Sequence, residues 1–295
     1  MRFTKKFGVT DPTPEFFDIN IFADTKKFVD PYCISQTPTA TGIASQQCIN
    51  AFMKDLLNSI QNKNDSRSAY LCSKFNEPNG TRLGYSKVKL DGSGAGKHLA
   101  GIFLQELKRI RHLIQDGIFN YLEECSLLCD ELKFDRISDI TIDIIKLPLI
   151  EFTQIQCQKY GISTRKTKSK LSYFCVANNV WKADYFDLPH IDKSDEFLIL
   201  IPKTFIPNVP TYNPMYFYTH AAQEHFKKQA IFNNDSCVSR DRDGNIQVLS
   251  KDLRSSEQYK PNKGNIKRGI IEKPELLLKY RNEVAMDIYY RNFKK

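Results

Sequence analysis

Apolar residues recur along the chain at two spacings, which predict where helices and strands lie. Helical spacing is clearest near residue 50, where the apolar positions are Ile49, Phe52, Met53, Leu56, Leu57 and Ile60. Similar spacing predicts helices over 97–114, 117–131, 136–147, 148–160, 216–232 and from Pro274 onward. Alternating or continuous apolar segments predict strands over 17–21, 69–75, 82–90, 171–177 and 196–202.

This order of elements predicts an α/β (mixed α+β) fold, in which a central mixed sheet is flanked by amphipathic helices. The uninterrupted apolar segment 197–202 predicts a strand near the centre of that sheet. The composition changes after Gly161, where the basic segment RKTKSK occupies 165–170. We therefore expect an N-terminal α/β region over 1–161, with a glycine-rich loop and an acidic helix pair, and a basic C-terminal region over 162–295. One continuous domain is the alternative.

Charge is distributed unevenly, and this changes the expected partner. The net charge is +9, and the last 94 residues alone hold 17 basic and 10 acidic side chains. An excess of cations in one region favours an anionic partner, with nucleic acid first and an acidic membrane surface second. Solubility alone is an equally good explanation of the same excess.

The cysteines and the apolar segments indicate the compartment. None of the eight cysteines forms a CxxC pair, and Cys125 and Cys129 fall on an apolar helical stripe, which favours buried thiols over disulfides or metal ligands. The N-terminus lacks the apolar core of a secretory signal, and no apolar run approaches the ~20 residues that span a bilayer. We expect a cytoplasmic protein that does not enter a membrane.

A glycine-rich segment lies between a predicted strand and a predicted helix. It contains Gly92, Ser93, Gly94, Gly96 and Lys97, and such a loop can bring backbone amides close to a phosphate at a helix N-terminus. The spacing departs from a Walker A motif, because Asp91 and His98 occupy positions that need Gly and Ser or Thr. A flexible connection is the favoured alternative to phosphate binding.

Two consecutive helices are predicted to carry acidic side chains on polar faces. If those faces converge, Asp135, Asp139 and Glu151 would hold Mg²⁺ through hard oxygen ligands, with Arg136 or Lys97 stabilising phosphate charge. This arrangement is typical of a metal-dependent phosphodiesterase. A solvated face on which Asp139 and Asp143 meet water, with Asp135 as a helix cap, is the favoured alternative.

A polar C-terminal segment supplies candidate phosphate-binding side chains, namely Lys260, Lys263, Lys267 and Arg268. Lysine and arginine contacts to phosphate provide most sequence-independent affinity for nucleic acid. The sequence Asp241-Arg242-Asp243-Gly244 resembles the start of a calcium loop, but it lacks the closing acidic residue and is better explained as a hairpin turn.

Several blocks of sequence resemble a known family. They are FDINIFADTKKFVDP (17–31), EPNGTRLGYSKVKLDGSGAGK (77–97), DRISDITIDIIKLPLIEFTQIQC (135–157) and KPELLLKYRNE (273–283). Together they resemble an uncharacterised bacterial protein family associated with phage-defence and mobile-element loci. The resemblance implies a role in antiviral defence and nucleic acid as the target, by analogy alone, and it supplies no catalytic residues.

The sequence therefore leads to two main functional hypotheses, and a small-molecule phosphate-transfer enzyme that uses the glycine-rich loop is a third, less favoured one. The first is a defence-associated protein that interacts with DNA or RNA and acts as a metal-dependent nuclease, a hydrolase that uses Mg²⁺. The second is a non-catalytic sensor or adaptor subunit that binds a nucleotide or a phage protein, with a protein partner from the same defence locus. Metal-dependent cleavage separates the two, because an adaptor binds without turnover.

Overall fold

The computed structural model describes residues 1–76, 80–84, 94–192 and 194–293. Helices dominate these residues, and the α-helices are α1 Phe3–Phe7, α2 Pro31–Ser35, α3 Ala40–Gln61, α4 Asp65–Cys72, α5 Gly94–Arg109, α6 Arg111–Gln115, α7 Cys125–Leu128, α8 Phe134–Ile144, α9 Lys146–Lys159, α10 Pro214–Phe217, α11 Gln223–Asn233, α12 Ser250–Ser255, α13 Lys263–Glu272, α14 Glu275–Lys279 and α15 Met286–Phe293. Short 3₁₀ turns occupy Leu122–Glu124 and Lys203–Phe205.

Two long helices are interrupted by π-helical turns. The first runs from α10 through the π segment Tyr218–Ala222 into α11, and the second from α14 through Tyr280–Ala285 into α15. A π turn adds one residue to the helical repeat, so it shifts the side chains that follow onto a different face. The helices predicted over 216–232 and from Pro274 are thus confirmed, with a π segment in each.

The strands form three antiparallel pairs. Arg165–Lys166 (β1) pairs with Asp187–Leu188 (β4), Leu171–Cys175 (β2) with Val180–Asp184 (β3), and Ser239–Arg240 (β5) with Ile246–Gln247 (β6). The β5–β6 turn confirms the hairpin prediction, since the Asp241 carboxylate accepts hydrogen bonds from the backbone of Asp243 and Asn245. A mixed helix-and-strand fold is confirmed, but every sheet among the described residues has only two strands.

The predicted central strand over 196–202 is instead a buried extended segment. Its backbone bonds go to four separate places: Leu198 donates to Pro189, Ile199 to Gly80 and Leu200 to the Thr153 hydroxyl, and Ile201 accepts from Phe17. Each neighbour offers one or two bonds, and Pro202 has no N–H to donate, so no continuous ladder forms. The segment 17–21 likewise contributes isolated bonds rather than a strand.

Residues 69–75 also differ from the prediction, because most of them belong to helix α4. Asn64 caps this helix by accepting a hydrogen bond from the Arg67 backbone, and the Arg67 guanidinium pairs with Asp55 on α3 at 2.5 Å. Buried Leu71 and Cys72 then face the core. Tertiary contacts therefore outweigh the strand preference of this short apolar run. In the predicted strand 82–90, residues 85–90 lie outside the described residues.

An aromatic cluster ties the hairpin formed by β2 and β3 to the helices. Phe52 on α3 lies 5.3 Å from Phe174 on β2 and 6.3 Å from Trp181 on β3, measured between ring centroids. The Trp181 indole donates a hydrogen bond of 2.7 Å to the Leu71 carbonyl. Pairs of this kind contribute about 0.5–1.5 kcal/mol each beyond burial. The hairpin is therefore anchored on one face and free on the other.

The core joins both predicted regions. One cluster of buried apolar side chains contains Phe52 and Leu107 from the first region together with Leu200, Phe226 and Tyr280 from the second. Seven of the eight cysteines are buried and all eight are free, which confirms the prediction of core thiols. Among the described residues, no helix is both long and apolar enough to cross a membrane.

Candidate functional site

The carboxylates predicted to bind Mg²⁺ lie on consecutive helices. Asp135 is in the first turn of α8, where its Oδ1 accepts from the Arg136 backbone at 2.9 Å, and Asp139 is half-buried one turn later. Glu151 is exposed on α9. The described parts of the chain contain no group of three or more His, Cys, Asp or Glu side chains that could hold a metal ion. The Mg²⁺ site remains a prediction.

The acidic face of α8 is not simply solvated. Asp143 is fully buried, pairs with the Lys146 ammonium at 2.6 Å and accepts a hydrogen bond of 2.7 Å from the Asn76 backbone. Burial raises the pKa of the Asp143 carboxyl, and Lys146 opposes that rise. This carboxylate therefore has a structural role in joining α8 to the end of the α4 region. Arg136, predicted to stabilise phosphate, donates instead to the Glu131 carbonyl at 2.6 Å.

The predicted phosphate-binding loop is described only in part. Gly92 and Ser93 lie outside the described residues, while Gly94, Gly96 and Lys97 form the start of α5. A Cβ atom at Gly96 would clash with the Phe75 carbonyl, so glycine here allows two segments of backbone to approach closely. Lys97 is exposed.

The C-terminal cations predicted to bind nucleic acid mostly have partners within the protein. Lys260 pairs with Glu257, and Lys263 donates to the carbonyls of Cys129 at 2.5 Å and Leu132 at 3.1 Å. These carbonyls belong to the turn that connects α7 to α8, so Lys263 satisfies backbone acceptors of that turn.

The other two side chains of that group are partly enclosed. The Arg268 guanidinium lies over the rings of Phe226 and Tyr259 at 5.4 and 5.5 Å and donates to the Gln258 carbonyl. Lys267 is half-buried. Lys263 and Arg268 therefore have structural contacts, and phosphate binding by this segment stays a prediction.

A different basic surface lies on the long hairpin 165–188, which we call the basic hairpin. It contains β1 to β4, and Thr167 joins its two ladders by exchanging hydrogen bonds with Phe186. Its exposed lysines are Lys166, Lys168, Lys170 and Lys182. Among the described residues only Lys168 of these four has a carboxylate partner, Asp195 at 2.7 Å, and both members of that pair are largely exposed.

Tyrosines lie among these lysines. Tyr173 is opposite Lys182 across the β2–β3 ladder, and the Lys170 ammonium is 5.8 Å from the centre of the Tyr185 ring. Tyr185 is 44% exposed, so its ring is open to solvent. The outer face of the basic hairpin thus combines free ammonium groups with an accessible aromatic ring.

A second charged cluster is buried where the last long helix meets the rest of the chain. This buried junction consists of Asp30, Glu123, Glu124, Tyr212 and Arg281. The Arg281 guanidinium pairs with Glu123 at 2.7 Å and donates to the Tyr212 hydroxyl at 3.2 Å. Arg281 belongs to the π segment Tyr280–Ala285 and lies 3.6 Å from the centre of the Tyr121 ring.

The carboxyl groups of the buried junction have unusual proton affinity. Burial raises the pKa of Asp30 to about 6, although hydrogen bonds from Thr211 oppose the rise. Burial also raises the pKa of Glu124 to about 8, against hydrogen bonds from the Asn120 and Tyr121 backbones at 2.8 and 3.0 Å. Several buried acids around one arginine form a network that links distant parts of the chain.

Next to the buried junction, a surface groove of about 370 Å³ lies between the two π-interrupted helices. We call it the π-helix groove, and it is lined by Asn208, Val209, Tyr216, His220, Glu283, Val284, Asp287, Ile288, Arg291 and Asn292. Its volume falls within the range of pockets that take small organic ligands. The sequence around His220 does not indicate the groove, because helical spacing alone does not reveal a π turn.

Comparison with known proteins identifies the family but not the activity. Residues 8–213 match the family described as Domain of unknown function (DUF8370), and the chain therefore belongs to that family. No curated protein matches the chain. No solved structure matches it either. The matched residues include the basic hairpin, whereas the helical walls of the π-helix groove follow residue 213.

Proposed function

We propose that this protein binds nucleic acid through phosphate contacts made by the basic hairpin, and these contacts carry little base specificity of their own. The observation that carries the proposal is the set of exposed lysines Lys166, Lys170 and Lys182, which have no carboxylate partner among the described residues. Such ammonium groups can neutralise phosphates without first breaking an internal ion pair. Each contact releases counterions that were condensed on the nucleic acid.

The chemistry around these lysines supports a strand of nucleic acid as the anion. The exposed Tyr185 ring offers a surface on which an unpaired base can stack, and Lys168 can leave its exposed partner Asp195 at little cost. The rigid anchoring of the hairpin through Trp181 keeps the face in place before binding. A single-stranded region suits this combination of ammonium groups and an aromatic ring.

The role in defence, the cellular location and any nuclease activity stay predictions that accompany this proposal. The resemblance to a bacterial defence family and the cytoplasmic location expected from the sequence provide a context in which foreign DNA or RNA would be the target. A sensor or adaptor that binds without turnover needs only the lysine contacts. A nuclease additionally needs Mg²⁺ at Asp135, Asp139 and Glu151, and is tested by incubating the same strands with Mg²⁺ or EDTA and with Asp139→Ala.

Salt-dependent binding tests the proposal. Fluorescence anisotropy would follow labelled single-stranded DNA and RNA at increasing salt for the wild type and for Lys166→Gln/Lys170→Gln/Lys182→Gln. Each lost phosphate contact lowers the slope of log affinity against log salt by about 0.7. The triple variant should therefore bind more weakly, with a slope smaller by about 2.

A matched control separates the basic hairpin from the C-terminal cations. Lys260→Gln/Lys267→Gln/Lys273→Gln removes the same charge and should keep both affinity and slope close to the wild type. Equal binding by the hairpin variant and the wild type would overturn the proposal. A loss of affinity confined to the control variant would show that the segment 260–273, and not the basic hairpin, contacts the nucleic acid.

A further inference from the structure

The π-helix groove has π turns in both of its walls. His220 lies in the segment Tyr218–Ala222, Glu283 and Val284 lie in Tyr280–Ala285, and the two segments pack against each other. π turns are rare and occur frequently at functional sites, where they redirect side chains at a cost to helix stability. Two of them facing one groove indicate that the positions of its lining side chains matter for more than packing.

One wall of the groove presents a stacked ring pair. The rings of Tyr216 and His220 are 6.0 Å apart between centroids and inclined by only 23°. Asn213 fixes the start of this helix by accepting hydrogen bonds from the Met215 and Tyr216 backbones. Tyr216 is 37% exposed, so a face of the pair remains open to a planar ligand.

The opposite wall supplies groups for hydrogen bonding. Glu283 and Asp287 bring carboxylates to the groove, and Arg291 pairs with Asp287 at 2.5 Å while remaining 76% exposed. At the base of the groove, the Asn292 side chain accepts hydrogen bonds from the Asn208 and Val209 backbones at 3.0 and 3.1 Å. Hydrogen bonds to the Asn213 and Asn292 side chains therefore fix the backbone on two sides of the groove. The groove has an aromatic side, an acidic side and an exposed guanidinium.

We propose that the π-helix groove binds a single nucleobase that carries an exocyclic amino group. Its ring stacks on Tyr216 and His220, and its amino group donates to the carboxylates of Asp287 or Glu283, as cytosine donates to acidic side chains in base recognition. Arg291 contacts the attached phosphate. The inference extends the proposed function, because it adds a preference among bases to the phosphate contacts of the basic hairpin.

Titrations with mononucleotides and short oligonucleotides test the proposal. AMP, CMP and UMP, and oligomers of adenylate, cytidylate and uridylate, would be titrated while backbone amide shifts near Tyr216 and Asp287 are followed by NMR. Adenine and cytosine should bind about tenfold more tightly than uracil, which has no amino group. Tyr216→Ala should weaken binding about tenfold or more through lost stacking, and Asp287→Asn should remove the preference for amino-bearing bases.

The outcomes separate this site from the basic hairpin and identify the source of the base. Phe232→Ala, which removes a 90% exposed ring on α11 that belongs to neither the groove nor the basic hairpin, should leave mononucleotide binding unchanged. Binding of mononucleotides points to a free nucleotide, and binding of oligomers alone points to a strand. Equal affinity for uracil and adenine, or full binding by Tyr216→Ala, would overturn the groove assignment while the proposed function stands. Base-selective mononucleotide binding, together with undiminished strand binding by Lys166→Gln/Lys170→Gln/Lys182→Gln, would overturn only the proposed function.

Discussion

The buried junction and the basic hairpin both carry basic side chains, but they use the charge differently. In the junction, Arg281 pairs with Glu123 and stacks on Tyr121, so its charge is balanced inside the protein. In the hairpin, Lys166, Lys170 and Lys182 face solvent. The difference shows that the excess of basic residues after position 201 does not identify a binding surface, because many of those cations hold the fold together.

The largest effect should come from removing the guanidinium at the junction. Arg281→Met leaves Glu123, which is 5% exposed, as a buried charge without its partner. Breaking a buried pair in this way costs about 3–5 kcal/mol of unfolding free energy. Urea denaturation would measure the loss. Lys279→Met on the same helix removes a half-exposed cation 4.0 Å from Glu283 and should cost about 0.5 kcal/mol or less.

Adding Glu123→Gln to Arg281→Met tests the same pair from the other side. The double variant no longer buries an unpaired carboxylate, so it should recover part of the stability that Arg281→Met loses. Equal stability of the single and double variants would mean that the pair is not the source of the effect.

The contribution of Glu124 to the unfolding free energy should change by roughly 3 kcal/mol between pH 5 and pH 8. Its folded pKa of about 8 lies above the usual value of 4.5, so the stability it contributes is present below pH 4.5 and is lost as the pH rises through about 8. Glu124→Gln stays neutral throughout. Its one carboxamide oxygen can accept both backbone hydrogen bonds, because the wild type uses a single oxygen for them.

Denaturation of Glu124→Gln and the wild type at pH 5 and pH 8 checks this sign. The two proteins should have similar unfolding free energies at pH 5, and the variant should be the more stable one at pH 8. A difference that does not grow with pH would show that Glu124 is already ionised in the folded protein.

The smallest effect on stability is expected at the basic hairpin. Lys166→Gln/Lys170→Gln/Lys182→Gln changes only exposed side chains, so the unfolding free energy should change by about 0.5 kcal/mol or less. Thermal denaturation would measure it beside Arg281→Met. A loss comparable to that of the junction variant would mean that these lysines also serve the fold, and the contrast between the two regions would disappear.

Local patterns predicted several elements correctly. The helices at 49–60, 136–147 and 148–160 correspond to α3, α8 and α9, since each shows a continuous apolar stripe or a clear start and stop. The strand at 171–177 corresponds to β2, and the thiols are buried as expected. In all these cases the contacts that determine the structure are made within a few helical turns or on one face of the element.

Other features depend on partners distant in sequence and could not be predicted. Asp30 is buried, and the hydrogen bonds that allow its burial come from Thr211, far along the chain. Lys263 was predicted to contact phosphate, and nothing in the sequence indicates that its ammonium donates to the carbonyl of Cys129, 134 positions away. A π turn has no residue pattern of its own, so the groove beside it has no signature in the sequence.

The hydrogen bond from the Tyr32 hydroxyl to the Arg281 carbonyl has a consequence for how the protein is made. This bond joins residues 249 positions apart, and the Tyr289 hydroxyl reaches the Gln36 carbonyl over 253 positions. Contacts of such long range form late, because they close a large loop of chain. During synthesis on the ribosome, Glu123 therefore cannot pair with Arg281 until more than 280 residues have been made. A nascent chain that stalls before Arg281 would expose an incomplete core to proteases and chaperones.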